Sequence, residues 1–187
     1  MKLFAITPDG FTGEDVLSHL PSLKEKKVLY LYLRSPSLFD SVDTLAPIIY
    51  SFGIRPIVPY KLASQINTAH YGVHFKSTEN KDFFNYPLSG KLIATVSCHD
   101  YESAVQFLQS SAHFVFVSPV FKPLSKPADT RKLFPRNRIR QLAATFGERV
   151  VFLGGMNRGN IDVLKDEFDH DFSVAGITMF FGDERAG

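Results

Sequence analysis

The chain has 187 residues, 44% of them hydrophobic and 21% charged, the make-up of one globular domain with a sizeable core. A formal net charge of +2 is too small to argue for nucleic acid or an anionic membrane as a partner, and no apolar run approaches the roughly 18 residues of a spanning helix. The single Cys98 rules out an intramolecular disulfide and fits a reducing compartment, so a cytoplasmic protein is expected; the opening MKLFAITPDG reads as a first strand rather than a secretory signal.

In chain order, residues 2–7 are an apolar strand stopped by the turn residues Pro8, Asp9 and Gly10. A short helix over residues 13–20 is expected to break at Pro21. Residues 28–33 form the second strand, with Arg34 at its exit. Leu45, Ile48, Ile49 and Phe52 recur at i, i+3, i+4 and i+7, so a helix opens at Asp43 or Thr44 and closes at Gly53. The third strand, residues 55–58, is cut off by Pro59, and a weak helix over residues 62–67 leads to the fourth strand at residues 72–75.

Residues 92–96 and 114–117 are strand-length apolar runs rich in β-branched and aromatic residues. Between them Asp100 is an N-cap for a helix with Ala104, Phe107 and Leu108 on one face. Such a βαβ unit makes its strands parallel, which puts Ser97, Cys98 and His99 beside Ser118 and Pro119 at the carboxyl edge, where α/β proteins bind ligands. The irregular stretch 118–135 carries four of the eleven prolines, and loops of that size in a compact domain usually serve function. Ile139, Leu142, Ala143 and Phe146 mark the next helix, ended by Gly147, and residues 150–153 are strand seven, followed directly by Gly154 and Gly155. Asn157 or Asn160 caps a helix burying Ile161, Leu164 and Phe168, and residues 174–178 are strand eight.

No repeat or low-complexity segment interrupts this order, so residues 1–187 read as one domain. Eight strands with intervening helices predict a short (β/α)8 TIM barrel rather than an open doubly wound sheet. Nine residues after Thr178 are too few for a full eighth helix. The outer face of strands one and eight is therefore expected to be uncovered, and a homodimer to cover it.

The candidate chemistry lies in the residues that leave the strands at the carboxyl edge. Gly154 and Gly155 let a ligand approach the backbone closely, and with the N–H groups following Gly176, at Ile177 and Thr178, they form a possible phosphate cup. The alternative for the glycine pair is a tight turn that needs glycine. Arg34, Lys122 and Lys126 supply cations for a second anionic group, and Ser97, with Ser118 across the unit, can donate to a phosphate oxygen. His74 and His99 stand at strand ends where an imidazole serves as acid, base or donor; the alternative is a pair of histidines satisfied by backbone groups. Cys98 has no base fixed beside it and reads as a small buried residue, while His113 and His170 precede strands and belong to the opposite edge. No metal cluster is visible, and of the nearest carboxylates, Glu79 and Asp100, neither has a partner at recognisable ligand spacing.

These segments resemble, in order and spacing, the thiamine phosphate synthase and TenI family from Val28 to about Phe181. YGVHF at Tyr71 to Phe75 is similar to the family's GVHL, VSCH at Val96 to His99 to its SxH, and SPVFKPLSK at Ser118 to Lys126 to its GPxFxTxTK. LGGMNRGNI at Leu153 to Ile161 is similar to its IGGIxxxN, and VAGIT at Val174 to Thr178 to its VAVxS. The resemblance implies a (β/α)8 enzyme of thiamine biosynthesis, usually dimeric. The synthase joins a hydroxymethylpyrimidine pyrophosphate to a thiazole phosphate, using Mg2+, and a carbocation-like pyrimidine forms as pyrophosphate departs. TenI proteins include a thiazole tautomerase that moves a proton by acid and base catalysis, and a non-catalytic thiazole or thiamine phosphate-binding protein is a third reading. Carried over by position, Arg34, Ser97 and Lys126 hold the pyrophosphate or a substrate carboxylate, and Gly155, Ile177 and Thr178 receive the thiazole phosphate. The departures are specific. Tyr32, Arg34 and Pro36 stand where the synthase has glutamine, arginine and lysine; Pro59 and Tyr60 replace its asparagine and aspartate; its second metal aspartate falls near Glu79; and the tautomerase histidine aligns with Pro119.

Overall fold

The computed structural model describes residues 1–66, 71–87, 92–122 and 130–182. Its strands are β1 Leu3–Ile6, β2 Tyr30–Tyr32, β3 Arg55–Pro59, β4 Gly72–Phe75, β5 Ala94–Cys98, β6 Phe114–Val117, β7 Val150–Phe152 and β8 Ser173–Gly176. Every strand pairs in parallel with the next, and β8 returns to β1 through Leu3↔Val174, Phe4↔Ala175 and Ala5↔Gly176, so the sheet closes in sequence order. The helices are α1 Gly13–Glu25, α2 Val42–Ser51, α3 Asn80–Asn85, α4 Tyr101–Gln109, α5 Arg136–Phe146, α6 Arg158–Glu167 and α7 Thr178–Phe181, with a 3-10 segment, Tyr60–Gln65, between β3 and β4. This is the (β/α)8 barrel that the alternation of strand and helix predicts.

Period-two alternation along the strands divides the apolar residues into two cores. Phe4, Ile6, Tyr32, Ile57, Phe116, Val151 and Ala175 point into the barrel, whereas Ala5, Leu31, Val58, Val73, Val96, Val115 and Phe152 face the surrounding helices. Aromatic rings fill the interior: Phe4 stacks on Tyr30 with centroids 4.4 Å apart and meets Phe114 and Phe116 edge-on at 5.1 and 5.2 Å. Few large rings thus occupy the space that layers of branched side chains fill in a larger barrel.

Three expectations need correction. Pro21 lies inside α1 rather than ending it. It is exposed and removes one backbone hydrogen bond, while Val16, Leu20 and Leu23 are buried on both sides of it and Thr12 closes a capping box with Asp15, enough to carry the helix through. Strand five runs two residues later than the apolar run suggests, because Thr95 and Ser97 face inward to polar partners while Ala94, Val96 and Cys98 face the helices. Polarity at Ser97 therefore marks a face, not a strand end. Strand eight stops at Gly176, and Thr178 opens α7.

The outer face of β1 and β8 is also better covered than the short carboxyl terminus suggests. Ala5 and Val174 are fully buried, and Phe180 and Phe181 of α7 join the helix-side core. Phe181 packs edge-on against Phe11 at 5.1 Å, and Lys26 donates to the Phe180 carbonyl at 3.0 Å, so four residues do the covering expected of a full helix. Among the described residues no helix is long and apolar enough to cross a membrane.

Removing the interior ring that touches three others should be costly: Phe4→Ala is expected to lower unfolding free energy by about 3–5 kcal/mol, because the aromatic packing around it can collapse only in part. Leu17→Ala, on the exposed face of α1, should change it by less than about 0.5 kcal/mol. Urea midpoints of the two variants beside the parent check both values.

Candidate active site at the barrel mouth

Parallel closure places every strand's carboxyl end on one rim, and a cavity of about 270 Å³ opens there, floored by Ile6, Tyr32, Phe116, Leu153 and Ile177. Its polar wall consists of Arg34, His74, Lys76, Ser97, His99 and Arg131, with Ser77 and Ser118. A larger basin of about 700 Å³ lies at the opposite end, between Lys2, Tyr30, His113 and Glu148. The smaller cavity is the better site, because two of its lining residues carry polar atoms without a partner among the described residues, whereas in the basin Glu148 is paired with Lys2 and the terminal amine and Arg149 donates to the Leu108 and Ala112 carbonyls. His113 is at the amino end, as its position before β6 predicts.

The wall between β4 and β5 is a fixed line of hydrogen bonds. Thr95 Oγ1 donates to the Val73 carbonyl at 3.1 Å, so it accepts from His74 Nδ1 at 2.7 Å. With its proton on Nδ1, His74 accepts at Nε2 from the Ser97 hydroxyl at 2.9 Å. The imidazole is buried, with Tyr32 4.5 Å away and Phe116 5.2 Å away, centroid to centroid. Burial, reinforced by the charge of Lys76, pushes its pKa down to about 3. His74 is therefore a neutral ring in a single tautomer, satisfied by side chains rather than by backbone. Ser97, whose proton is directed to His74, presents lone pairs to the cavity instead of the donor expected for a phosphate.

His99 has the opposite character. It is exposed just beyond β5, its Nδ1 donates to the Ser118 carbonyl at 2.8 Å, and Arg131 Nη1 stands 3.3 Å from its Nε2. The ring is thus an acceptor bridging Arg131 to the loop after β6. Cys98 faces the helices, where burial pushes its thiol up to about 12, in keeping with an inert core residue.

On the β2 side, Thr7 fixes the strand exit: its hydroxyl accepts from the N–H groups of Arg34 and Ser35 at 2.9 and 3.3 Å. Arg34 is held by Asp9, Nη2 to Oδ1 at 2.9 Å, and its buried Nε has no hydrogen-bond partner among the described residues. Tyr32 Oη is likewise buried and without a partner among the described residues, and burial raises its phenol well above the ordinary value, so it stays a neutral donor. Two buried donors without a described partner, both on residues that line one cavity, single out this end of the barrel as the candidate site.

The glycine pair does the work of the tight turn. Gly154 and Gly155 have φ of +98° and +63°, and a Cβ on Gly155 would lie 2.5 Å from the Lys122 carbonyl and 2.7 Å from Phe121 Cβ. Val120 and Phe121 donate to the carbonyls of Leu153 and Gly154 at 2.9 and 3.0 Å, and Asn160 Nδ2 donates to the Gly155 carbonyl at 2.6 Å. Residues 119–122 thus pack on the side where a Cβ of Gly154 or Gly155 would project. Of the expected phosphate cup, Ile177 lines the cavity, whereas Gly154, Gly155, Gly176 and Thr178 do not. Lys122 is exposed and outside the lining, and Lys126 lies outside the described residues.

Sequence reasoning overlooked Lys76, Arg131 and Thr95, and treated Tyr32 only as a departure from a family pattern. Lys76 was within reach of the strand-exit rule, since it directly follows Phe75. Arg131 sits in an aperiodic stretch and carries no signal.

The carboxylates near the mouth do not fit a Mg2+ site. Glu79 Oε2 accepts the Lys76 N–H at 2.8 Å and Oε1 pairs with Lys61 at 3.3 Å; both oxygens of Asp100 are on Ser103, at 2.8 and 2.9 Å; Asp9 is on Arg34. Among the described residues no three His, Cys, Asp or Glu side chains gather as a metal site.

Fold and site together define a (β/α)8 barrel protein with a cation-lined cavity at the carboxyl end of its strands. Residues 3–178 match the family model described as thiamine monophosphate synthase, and the chain belongs to that family. Family membership gives it a synthase-like role in thiamine biosynthesis. It is similar in structure to the thiamine phosphate pyrophosphorylase of Pyrococcus furiosus, at 20% identity and a TM-score of 0.72 over 98% of this chain and 88% of that one. It is also similar to the thiamine phosphate pyrophosphorylase of Bacteroides thetaiotaomicron, at 20% identity and a TM-score of 0.60 over 100% and 89% of the two chains. A 3-hexulose-6-phosphate synthase shares the fold at 14% identity and a TM-score of 0.63, over 98% and 93%. A comparison with curated protein sequences gives no match.

The depressed pKa of His74 has a consequence for stability. Between about pH 6.5 and 3 the unfolded chain protonates this histidine and the folded protein does not, so its contribution is full above pH 6.5 and is lost as pH falls toward 3. His74→Asn should be less stable than the parent at pH 7 and should lose less stability between pH 7 and 4. Urea midpoints measured across that range check this, and parallel slopes for the two proteins would contradict it.

Proposed function

We propose that the protein is a thiamine phosphate synthase that joins hydroxymethylpyrimidine pyrophosphate to a thiazole phosphate at the barrel mouth. In that reaction the bond between the pyrimidine methylene and the pyrophosphate oxygen breaks, pyrophosphate leaves with the electron pair, and the thiazole nitrogen forms the new C–N bond. The observation that carries the reading is the mouth itself: Arg34, Lys76 and Arg131 line it, and two of its lining residues, Tyr32 and Arg34, carry buried donors, Oη and Nε, without a partner among the described residues. A leaving pyrophosphate needs preorganised positive charge and hydrogen-bond donors, and these residues are held by Asp9, Thr7 and His99 before any ligand arrives. Aromatic Tyr32 and Phe116 offer flat apolar surface for a heterocycle, and the lone pairs of Ser97 suit an amino substituent.

The tautomerase reading asks for a proton-transfer group near the substrate. His74 is locked as a neutral donor–acceptor between Thr95 and Ser97, and Pro119 packs against Gly154, so the synthase reading is the stronger. A homodimer is part of the proposal through the family resemblance alone, since the covered face of β1 and β8 no longer calls for a partner.

Steady-state formation of thiamine phosphate from the two precursors tests the reading. Arg34→Ala should reduce kcat/KM by roughly a hundredfold, the cost of one preorganised charge in a site of this kind. Lys126→Ala should do the same if that residue reaches the diphosphate, with Lys122→Ala close to the parent. Proton exchange on a thiazole substrate without coupling would favour the tautomerase, and tight precursor binding without turnover the binding protein.

A further inference from the structure

Resting on the synthase reading, we infer that this mouth meets the diphosphate of its substrate with side-chain cations, Lys76 foremost, rather than through a divalent metal bridge. Enzyme sites neutralise a departing diphosphate either with a metal held by carboxylates or with a clamp of Lys and Arg. The two arrangements need opposite things of the nearby acids. A metal site leaves carboxylate oxygens open toward the ligand; a cation clamp uses them to hold the bases in place.

Among the described residues the acids nearest the rim are already engaged, Asp9 and Glu79 with cations and Asp100 with a helix cap. Lys76 leaves β4 directly after Phe75, lines the cavity, and stands near enough to His74 for its charge to oppose protonation of the ring. Its backbone is fixed by Glu79, whose Oε2 accepts the Lys76 N–H at 2.8 Å while Oε1 pairs with Lys61 at 3.3 Å. The acid closest to the family's metal position is thus spent on placing a cation. Asp9 holds Arg34 at 2.9 Å, and Asp100 caps α4 through Ser103. Recruiting any of the three to a metal would undo an ion pair or a helix cap. Arg131 approaches from the opposite rim, with Nη1 3.3 Å from His99 Nε2, so positive groups face the cavity from β2, from β4 and from the segment after β6. That distribution surrounds a diphosphate, as no single surface lysine does.

Isothermal titration of inorganic pyrophosphate into the purified protein, once in EDTA and once in millimolar Mg2+, tests this without relying on turnover. Binding is expected in EDTA, with an affinity that Mg2+ improves by less than about threefold, and Lys76→Ala should weaken it roughly tenfold or more. Lys76→Arg should retain most of it, and Lys81→Ala, on α3 outside the cavity, should match the parent. Urea midpoints for Lys76→Ala confirm that the variant folds; Lys76 is exposed, so the midpoint should be within the parent's range. Binding that appears only with Mg2+, or a Lys76→Ala variant that binds like the parent, would overturn the inference. Coupling of the two precursors that is strictly Mg2+-dependent would sink it while leaving the synthase reading intact. Metal-free pyrophosphate binding in a protein that couples nothing would uphold the cation clamp and sink the synthase reading.

Discussion

The parallel pairing of β8 with β1 is the contact on which everything else rests. Through Leu3↔Val174, Phe4↔Ala175 and Ala5↔Gly176 it turns eight short strands into a closed cylinder without an edge. Closure sorts each strand's residues into an inside and an outside and sends all eight carboxyl ends to one rim. In a chain this short the strands have three to five residues, so each contributes only one or two inward side chains. Aromatic rings occupy the interior, leaving a shallow polar layer at the top as the place where chemistry can be held.

That layer is organised by electrostatics as much as by packing. Thr95, His74 and Ser97 pass hydrogen bonds in one direction, ending on the Val73 carbonyl, and the direction fixes which atoms the cavity sees. A neutral imidazole in the centre, rather than a charged one, avoids an unpaired buried charge and leaves the positive groups at the rim, where Asp9, Glu79 and His99 hold them. The same economy governs the loop after β7. Gly154 and Gly155 allow residues 119–122 to lie against the barrel end, so the segment after β6 is docked by backbone contacts before it delivers Arg131 to the mouth.

Much of this architecture is legible in the amino-acid order, because strand-length apolar runs with turn residues between them report directly on a barrel. Gly72–Phe75 and Phe114–Val117 are read to the residue, and Asp100 and Asn157 are recognisable caps. What the order hides are matters of context. Pro21 reads as a breaker, yet buried neighbours carry α1 past it. Ser97 reads as a strand end, yet an inward partner three-dimensionally adjacent, His74, makes it part of β5. Arg34, His74, Ser97 and His99, named from the strand exits, line one cavity, and Phe121 and Lys122 lie where a Cβ on Gly155 would project. Lys76 and Arg131 become visible only when the rim is assembled, since a lone cation after a strand or in a loop looks like any solvated one.

The central claim is that the cation-lined mouth, completed by the orphaned donors of Tyr32 and Arg34, is where a thiamine precursor binds. A crystal structure of the protein soaked with hydroxymethylpyrimidine pyrophosphate tests it most directly. The account predicts the precursor at the carboxyl rim, with polar atoms within hydrogen-bond distance of Tyr32 Oη and Arg34 Nε and the diphosphate against Lys76. A precursor bound instead in the basin between Lys2, Tyr30, His113 and Glu148, with the mouth open, would contradict it.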